Sequence, residues 1–500
     1  MNLLDVLLGT GAPDAVALVS PSGVTTYAEL AARAARLAEV LSAEDVAPGD
    51  RIGLSTGNDE AFVVSYLAIL RVGAAAIPLN PLAPPGELRR DLAMIEPRLV
   101  LATEPADTSV TAAGGSVLVV DASIGRAVGT DHTERRDETS TVVRAGDDAA
   151  VMLFTSGTAG TPKAAVLTHG NLAANIAQVL EHPGLAIRAD DVVLGALPFH
   201  HIFGLNVVLG VTLAAGGTVV LEDQFDPAST AGLVAQHGVT VVAGVPTMYD
   251  QWLAIEPPLP EATFASIRLA VSGAAPLPDR VGAGFRDRYG IVLHQGYGLT
   301  EASPIVTTTA LSAAPVPGSI GPPLPGLEVR LVGDDGADAL VGDPGEIWVR
   351  GPNVFGGYWN DTEASGRALT ADGWLRTGDV AVFTDERELF IVDRAKDLVI
   401  VSGFNVFPAE VEEVLLDHPD VGDAAVVGEE HPRTGEAVVA FVVPRSGVSL
   451  DVEALGTWCA QSLARYKCPA RYEVVAELPR SSAGKLLRRA LRPSATTNPA

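Results

Sequence analysis

A loop rich in glycine and hydroxyl side chains is the segment of this chain best suited to chemistry. Residues 153–163 read LFTSGTAGTPK, an apolar start followed by two glycines, four hydroxyl side chains and a lysine. Glycines let backbone N–H groups approach an anion, hydroxyls donate hydrogen bonds, and Lys163 adds positive charge. This composition favours a polyphosphate ligand. The loop is not a Walker A motif, because Lys163 follows a proline and precedes an alanine.

Two later segments carry polar groups that would complement such a loop. Tyr297-Gly298-Leu299-Thr300-Glu301 follows a strand predicted at residues 291–294. A hydroxyl and a carboxylate just past a strand end suit a Mg²⁺–phosphate site, since Mg²⁺ prefers oxygen ligands. Asp379 follows a Thr-Gly turn, where a carboxylate can accept hydrogen bonds from two ribose hydroxyls.

The overall charge excludes several classes of partner. The 500 residues carry a net charge of −27, which repels nucleic acid and anionic lipid. One stretch reverses this sign, since residues 465–492 hold eight basic residues against two acidic ones, and it is a candidate seat for phosphates.

Cys459 and Cys468 have no metal-ligand spacing, which indicates a reducing compartment. Residues 1–14 lack a basic run, so no signal peptide is expected.

The elements that must position these groups alternate between short apolar strands and helices. The alternation runs through the first 300 residues and predicts layered α/β subdomains. Residues 192–221 lack charged side chains but contain proline, histidines and glycines, so we interpret them as buried strand, turn, helix and strand rather than a transmembrane segment. A strand-rich subdomain follows at about residues 318–394. We therefore predict an α/β fold with a large domain, residues 1–395, and a small mobile C-terminal α/β domain, residues 396–500.

Taken together, five features resemble the adenylate-forming superfamily of acyl-CoA synthetases, peptide-synthetase adenylation domains and beetle luciferases. The features are residues 153–163, residues 297–301, Asp379, residues 394–396 and Lys485, and they occur in the superfamily's order. The resemblance extends over nearly the whole chain, from about residue 26 to residue 491.

The resemblance implies a nucleotide-binding role for each matching residue. The β- and γ-phosphates of ATP would be held by Thr155, Ser156, Gly157, Thr158, Gly160 and Lys163. Thr300 would touch the α-phosphate and Glu301 would bind Mg²⁺. The adenine would lie between Tyr297 and the segment Gly273-Ala274-Ala275-Pro276, and the ribose would be held by Asp379 and Arg394.

The resemblance also implies residues for catalysis and domain movement. Lys485 would bridge the substrate carboxylate and the α-phosphate, where a cation offsets the repulsion between two anions. Lys396 would be the hinge about which the small domain turns. That rotation would present a face for thiol attack made of Ser402, Gly403, Phe404 and Asn405. In Pro198-Phe199-His200-His201, the second histidine aligns best with the superfamily's pocket-gating histidine.

The identity of the acid is less tightly constrained. Residues 401–408 look most like those of bacterial fatty acyl-CoA ligases. Residues 195–205 lack the aspartate that holds an amino group in peptide-synthetase adenylation domains. The pocket residues implied by the resemblance are small or apolar for the most part, as an alkyl or aryl acid requires: His201, Phe203, Val245, Gly273 and Gly298.

We therefore predict a cytoplasmic, AMP-forming acid–thiol ligase of the fatty acyl-CoA synthetase type, using ATP, Mg²⁺ and coenzyme A. Its partners would be small molecules, with no nucleic acid and no transmembrane segment. An acyl-AMP ligase that loads an acyl carrier protein and an aryl-CoA ligase stay open, as does a homodimer. Retention of Lys163, Glu301 and Lys485 disfavours a non-catalytic acyl-adenylate binder.

Overall fold

The structure is a computed structural model, and it describes most of the chain. The described residues are 1–120, 141–155, 162–333, 335–385, 388–394, 399–401, 404–406, 408–445, 447–480 and 486–491. The chain divides into two compact units. The first unit is Met1–Val329 with Val349–Arg376, and the second is Arg330–Trp348 with Thr377–Ala500. The predicted boundary after residue 395 stays a prediction, because residues 395–398 lie outside the described residues.

Helices and strands alternate along the first unit. Its strands, in chain order, are β1 Val16–Ser20, β2 Gly23–Thr26, β3 Arg51–Ser55, β4 Ala75–Pro78, β5 Leu99–Ala102, β6 Val117–Val119, β7 Ala149–Thr155, β8 Lys163–Thr168, β9 Val192–Gly195, β10 Thr218–Leu221, β11 Val241–Gly244, β12 Leu269–Ser272, β13 Leu293–Gly298 and β14 Ile305–Thr308. Its helices are α1 Leu3–Leu8, α2 Tyr27–Ala43, α3 Glu60–Arg71, α4 Pro85–Ile95, α5 Ala106–Ala112, α6 His169–Glu181, the π-helix Phe203–Val211, α7 Thr212–Ala215, α8 Pro227–His237, α9 Pro246–Leu253, α10 Asp279–Tyr289 and α11 Thr362–Ala368.

The later strands and helices complete the fold. The strands are β15 Glu328–Val332, β16 Pro344–Arg350, β17 Leu375–Phe383, β18 Leu389–Arg394, β19 Val399–Val401, β20 Phe404–Val406, β21 Val421–His431, β22 Gly435–Pro444 and β23 Arg471–Val474. The helices are α12 Pro408–Leu416 and α13 Val452–Ser462. Short 3₁₀ turns lie at Glu261–Phe264, Thr300–Ala302 and Arg488–Leu491.

The described strands pair into four sheets. One has the order β6-β5-β3-β4-β7-β8 and another the order β14-β13-β12-β11-β9-β10-β1-β2. The remaining two have the orders β15-β16-β17-β18 and β20-β19-β22-β21, with β23 paired to β22. In the first two sheets the central strands run parallel, and all four residues of β4, β5, β11 and β12 are buried. Helices cover both faces of such strands, which explains their continuous apolar sequences.

Local sequence signals account for many of these elements. Thr26 and Glu29 form a capping box at the start of α2, and the helix buries Leu30, Leu37 and Leu41 on one face. The uncharged stretch 192–221 folds as predicted into strand, turn, helix and strand, although most of its helix is a π-helix. Among the described residues, a search for a helix long and apolar enough to cross a bilayer finds none.

Candidate active site

Four parallel strands bring most of the predicted acid- and adenine-binding residues to one edge of a sheet, whereas Thr155 and Lys163 lie on β7 and β8 of another sheet. Strands β9, β11, β12 and β13 are parallel neighbours in the order β13-β12-β11-β9. The His200-His201 turn follows the carboxyl end of β9, Val245 follows β11, and the segment 273–276 follows β12. The segment 297–301 begins in the last two residues of β13 and continues beyond its end. Ligands of open α/β sheets bind at this edge, so the fold gathers residues that lie about 100 positions apart in the sequence.

The segment predicted to face the adenine is fixed by a residue that the sequence did not single out. Gln295 on β13 is buried, and its Oε1 accepts a hydrogen bond from the backbone N–H of Leu277 at 3.2 Å. Ala274 adopts a φ of 68°, a left-handed conformation that non-glycine residues rarely take. A Cβ at Gly273 would lie 3.2 Å from the Phe203 ring, so the absence of a side chain allows this close approach.

The strand that carries Tyr297 is longer than predicted. We expected the strand to end at residue 294, but β13 continues to Gly298 because it gains an antiparallel partner, β14. Gly296 and Tyr297 pair with Thr308 and Thr307. Tyr297 is therefore a buried strand residue, and only Thr300 and Glu301 lie in the turn beyond the strand.

Three asparagine side chains fix the turn that carries Thr300 and Glu301. All three are buried, and each donates from its amide to a backbone carbonyl of residues 302–305. The hydrogen bonds run from Asn175 to Ile305 (2.9 Å), from Asn206 to Ser303 (2.7 Å) and from Asn353 to Ala302 (2.6 Å). Buried amides left without partners are costly, so each bond holds the turn in one conformation.

Lys163 and Glu301 both contact one side chain, Tyr358. The Tyr358 hydroxyl donates to Glu301 Oε1 at 2.7 Å, and the ammonium of Lys163 lies 5.1 Å from the centre of the tyrosine ring. Lys163, the last residue of the predicted phosphate loop, and Glu301, in the predicted magnesium-binding turn, therefore share Tyr358 as a partner. Sequence analysis did not identify this tyrosine, because its link to Glu301 spans 57 residues and no local motif marks it.

The donors at this point fit a magnesium ion shared with a nucleotide. Glu301 supplies carboxylate oxygen, and Thr300 supplies a hydroxyl in the same turn. Among the described residues there is no group of three or more histidine, cysteine, aspartate or glutamate side chains that could hold a metal ion by itself. Mg²⁺ commonly binds one or two carboxylates and completes its shell with phosphates and water, which suits this arrangement.

The rings of the two histidines after β9 contact each other, tilted by 45°. Their ring centroids lie 4.5 Å apart. Burial, with a smaller effect from His201, lowers the pKa of His200 to about 3, and burial lowers the pKa of His201 to about 4. Neutral imidazoles can line an apolar pocket without the desolvation cost of an ion.

Asn58 fixes the backbone on which these histidines sit. Its side-chain amide donates to the carbonyls of Gly195 (3.1 Å) and Leu197 (2.6 Å), and its Oδ1 accepts from the N–H of Phe199 (2.9 Å). Asn58 lies between β3 and α3, 137 residues before Gly195 in the chain. This long separation explains why the sequence did not reveal its role.

The residues predicted to bind ribose lie in the second unit. Asp379 on β17 and Arg394 on β18 are register partners in an antiparallel pair. Asp379 is buried, and its N–H donates to Thr377 Oγ1 at 3.1 Å, while that hydroxyl donates to the Ile347 carbonyl at 2.7 Å. The structure does not describe the side chain of Arg394.

Several predicted residues lie outside the described residues, so their roles stay predictions. They are Ser156, Gly157, Thr158, Gly160, Lys396, Ser402, Gly403 and Lys485. For Phe404 and Asn405 only the backbone is described, as part of β20. Thr155 and Lys163, at the two ends of the phosphate loop, are cross-strand partners of β7 and β8.

The basic stretch 465–492 is more neutralised than its sequence indicates. Four of its cations form ion pairs, namely Lys467 with Glu410, Arg471 with Glu429, Arg480 with Asp423 and Arg488 with Glu412. These acids lie outside the stretch, so counting charges within it missed them. The structure therefore gives these four cations protein partners, and they do not support the predicted phosphate seat.

Comparison with known proteins establishes the family. Sequence models of the families described as AMP-binding enzyme and AMP-binding enzyme C-terminal domain match residues 9–359 and 410–485. A feruloyl-CoA synthase of Amycolatopsis sp is 39% identical over 96% of each chain. A long-chain-fatty-acid–CoA ligase of Yersinia pestis is 35% identical over 96% of this chain and 91% of that protein.

Solved structures agree with this result. The ATP-bound structure of MatB from Rhodopseudomonas palustris matches with a TM-score of 0.90 and 34% identity over 98% of both chains. A benzoate CoA ligase from Burkholderia xenovorans LB400 matches with a TM-score of 0.88 and 28% identity over 98% of this chain and 100% of that one.

The chain belongs to the AMP-binding enzyme family. The resemblance to adenylate-forming enzymes is thereby confirmed, as is the α/β fold class with a large N-terminal and a small C-terminal domain. The predicted use of ATP, Mg²⁺ and coenzyme A is confirmed at the level of the family.

Proposed function

We propose that this protein is an acid–coenzyme A ligase that activates an apolar carboxylic acid through an acyl-adenylate. The observation that carries the proposal is the convergence of Lys163 and Glu301 on Tyr358, because this places an ammonium and a metal-binding carboxylate together. Such a pair suits a triphosphate with its cation. The shared activity of the named relatives, coenzyme A ligation, supports the same conclusion.

The proposed reaction has two steps, adenylation of the acid and transfer of the acyl group to coenzyme A. A carboxylate oxygen of the acid attacks the α-phosphorus of ATP, forming the acyl-adenylate and breaking the bond to the departing pyrophosphate. The thiol of coenzyme A then attacks the acyl carbon, losing its proton, and AMP leaves. A magnesium ion on Glu301 would neutralise charge on the phosphates. Lys485 is the proposed cation at the reacting carboxylate, and Lys396 is the proposed hinge between the two steps.

For the acid we propose an alkyl chain, as the small and apolar pocket residues favour. The fatty-acid ligases at 35% identity over most of the chain support this class. The lowered pKa values of His200 and His201 keep both imidazoles uncharged at neutral pH, so neither carries a charge that would oppose a hydrocarbon.

An arylpropenoic acid is the second candidate, and a specific observation favours it. The Phe203 ring lies against Gly273, and the contacting rings of His200 and His201 lie on the turn just before that phenylalanine, so aromatic surfaces are concentrated at this position. Aromatic rings pair well with one another. Two feruloyl-CoA synthases, each 39% identical over 96% of this chain, support this class.

The test is pyrophosphate release and thioester formation with short to long alkyl acids, cinnamic acids and benzoic acids, with and without coenzyme A. We expect coenzyme A-dependent turnover with one class, and the ratio kcat/KM identifies which one. Pyrophosphate and acyl-adenylate without acyl-CoA would instead assign a carrier protein as the thiol donor. Absence of pyrophosphate with every acid would contradict the ligase assignment.

A further inference from the structure

Tyr358 contacts two side chains of opposite charge. Its hydroxyl holds Glu301 Oε1 at 2.7 Å, and its ring lies under the Lys163 ammonium at 5.1 Å. The described residues give Lys163 no carboxylate partner, although Glu301 contacts the hydroxyl of the same tyrosine. The lysine therefore keeps its charge available for an anion.

The backbone holds Tyr358 firmly in this position. Its segment adds to the edge of β8: the N–H of Trp359 donates to the Ala164 carbonyl at 2.8 Å, and the N–H of Val166 donates to the Gly357 carbonyl at 3.1 Å. The N–H of Tyr358 itself donates to Ser365 Oγ at 2.8 Å. Because β8 begins at Lys163, the same strand fixes both the lysine and the tyrosine.

The same segment also fixes the backbone of Glu301. The N–H of Phe355 donates to the Glu301 carbonyl at 2.9 Å, and the rings of Phe355 and Tyr358 make an edge contact at 4.9 Å. Residues 355–359 therefore tie the turn of Glu301 to the strand of Lys163. A change in this segment would alter the positions of both charged groups at once.

The chemistry of the tyrosine suits a permanent donor. An ionised carboxylate can only accept hydrogen bonds, so the Tyr358 hydroxyl is the donor in its contact with Glu301 Oε1. The hydroxyl uses Oε1 and leaves Oε2 of the same carboxylate for a cation. The ring face attracts the Lys163 ammonium without neutralising it.

We propose that Tyr358 is a positioning residue for magnesium-bound ATP, which orients Glu301 to bind Mg²⁺ through Oε2 and keeps Lys163 from pairing with Glu301. This inference rests on the proposed function, because it takes Glu301 as the metal-binding residue. Partners that orient metal-binding carboxylates typically change metal affinity by about 10–100-fold when they are removed.

The test compares ATP binding with and without Mg²⁺ by calorimetry, in the absence of any acid. For Tyr358→Phe, which loses only the hydroxyl, we expect the gain in ATP affinity from Mg²⁺ to fall by about 10–100-fold. When a chelator removes Mg²⁺, the affinity of Tyr358→Phe for ATP should stay near that of the wild type, because the ring still contacts Lys163. Tyr358→Ala should lower the metal-free affinity as well, since Lys163 can then pair with Glu301.

A matched control separates this effect from the loss of any buried tyrosine hydroxyl. Tyr27 donates to the Gly217 carbonyl at 2.7 Å, in the same unit but with neither Lys163 nor Glu301 as its partner. Tyr27→Phe should lower the unfolding temperature without changing the Mg²⁺ effect. If Tyr358→Phe retains the full Mg²⁺ gain of the wild type, the positioning role is wrong. If the wild type itself gains nothing from Mg²⁺, the proposed function fails as well.

Discussion

The guanidinium of Arg33 donates to the carboxylate of Glu60 across 2.7 Å, and the two side chains are only 5% and 2% exposed. This ion pair connects α2 to α3. Three hydroxyls of the β1–β2 hairpin also donate hydrogen bonds to Glu60 Oε1. They belong to Ser20, Ser22 and Thr25. A buried carboxylate with this many donors ties three elements of the first unit together.

Removal of the arginine should destabilise the protein strongly. Arg33→Met keeps most of the side-chain volume but leaves Glu60 buried without its cation, and we expect a loss of about 3–5 kcal/mol in unfolding free energy. Urea unfolding followed by fluorescence measures this change. The control is Arg367→Met in the exposed pair with Glu363, which should change stability little. Equal losses in both variants would show that burial does not decide the effect.

The same pair predicts a pH dependence. Burial alone would raise the pKa of Glu60, but Thr25, Ser20 and Arg33 together outweigh it, and the folded pKa lies below the ordinary value. The stability from Glu60 is therefore present above the unfolded pKa of about 4.3 and is lost as the pH falls through the folded pKa. The difference in unfolding free energy between the wild type and Arg33→Met should narrow as the pH falls below about 4.3, toward the folded pKa of Glu60. A constant difference would contradict this linkage.

The buried histidines predict a second pH dependence. In the unfolded chain, His200 and His201 have a pKa of about 6.5, above their folded values, so the unfolded state binds more protons at mildly acidic pH. Their contribution to stability is present above about pH 6.5 and is lost as the pH falls. His200→Phe should flatten the pH dependence of unfolding free energy between about pH 4 and 6.5. Between pH 7 and 8, both proteins should show the same slope, which serves as the control.

A glycine at the nucleotide edge should tolerate no side chain. A Cβ at Gly298 would overlap the carbonyl oxygen of Pro304, so Gly298→Ala must displace the backbone beside Thr300 and Glu301. We expect a loss of about 1–3 kcal/mol in stability together with weaker ATP binding. Gly232→Ala is the matched control, because its Cβ meets nothing within 4 Å and it lies in α8, where alanine favours the helix by about 0.5–1 kcal/mol. Unchanged ATP affinity in Gly298→Ala would show that this backbone can move without consequence.

Replacement of Asn58 should raise KM for the acid more than KM for ATP. Asn58→Ala removes the hydrogen bonds that fix residues 195–199, and we expect KM for the acid to rise on the order of tenfold or more, while KM for ATP changes little. Steady-state kinetics with each substrate varied separately measures this split. Asn80→Ala, which loses only a local bond to the N–H of Leu82, should leave both values unchanged. Parallel increases in both KM values would indicate a general loss of structure instead.

The sequence predicted those features that depend on near neighbours in the chain. The alternation of buried strands with helices, and the strand, turn, helix and strand of residues 192–221, follow from residue types within a few positions. The end of β13 was placed too early, because the pairing with β14 that extends it depends on residues 305–308.

The parts that could not be predicted depend on long-range contacts. Tyr358, Gln295 and Asn58 are unremarkable in their local sequence, and each acquires its role only when folding brings a distant backbone or carboxylate within hydrogen-bonding distance. The charge count within residues 465–492 overstated the unpaired positive charge for the same reason. The acidic partners of four of these cations lie on strands and helices that the local charge count did not include.

The π-helix Phe203–Val211 has a consequence for how the pocket could diverge among relatives. A π-helix has more residues per turn than an α-helix, so it changes the directions in which successive side chains point. Two contacts depend on these directions: the Phe203 ring beside Gly273, and the hydrogen bond from Asn206 to the Ser303 carbonyl. Deletion of a single residue would tighten the segment to an α-helix. The helical side chains before the deletion would then be rotated by about 100° about the helix axis relative to those after it. A different side chain would then face the acid, while the sheets would keep their sequence. The length of this helix, as well as its composition, can therefore encode substrate selectivity.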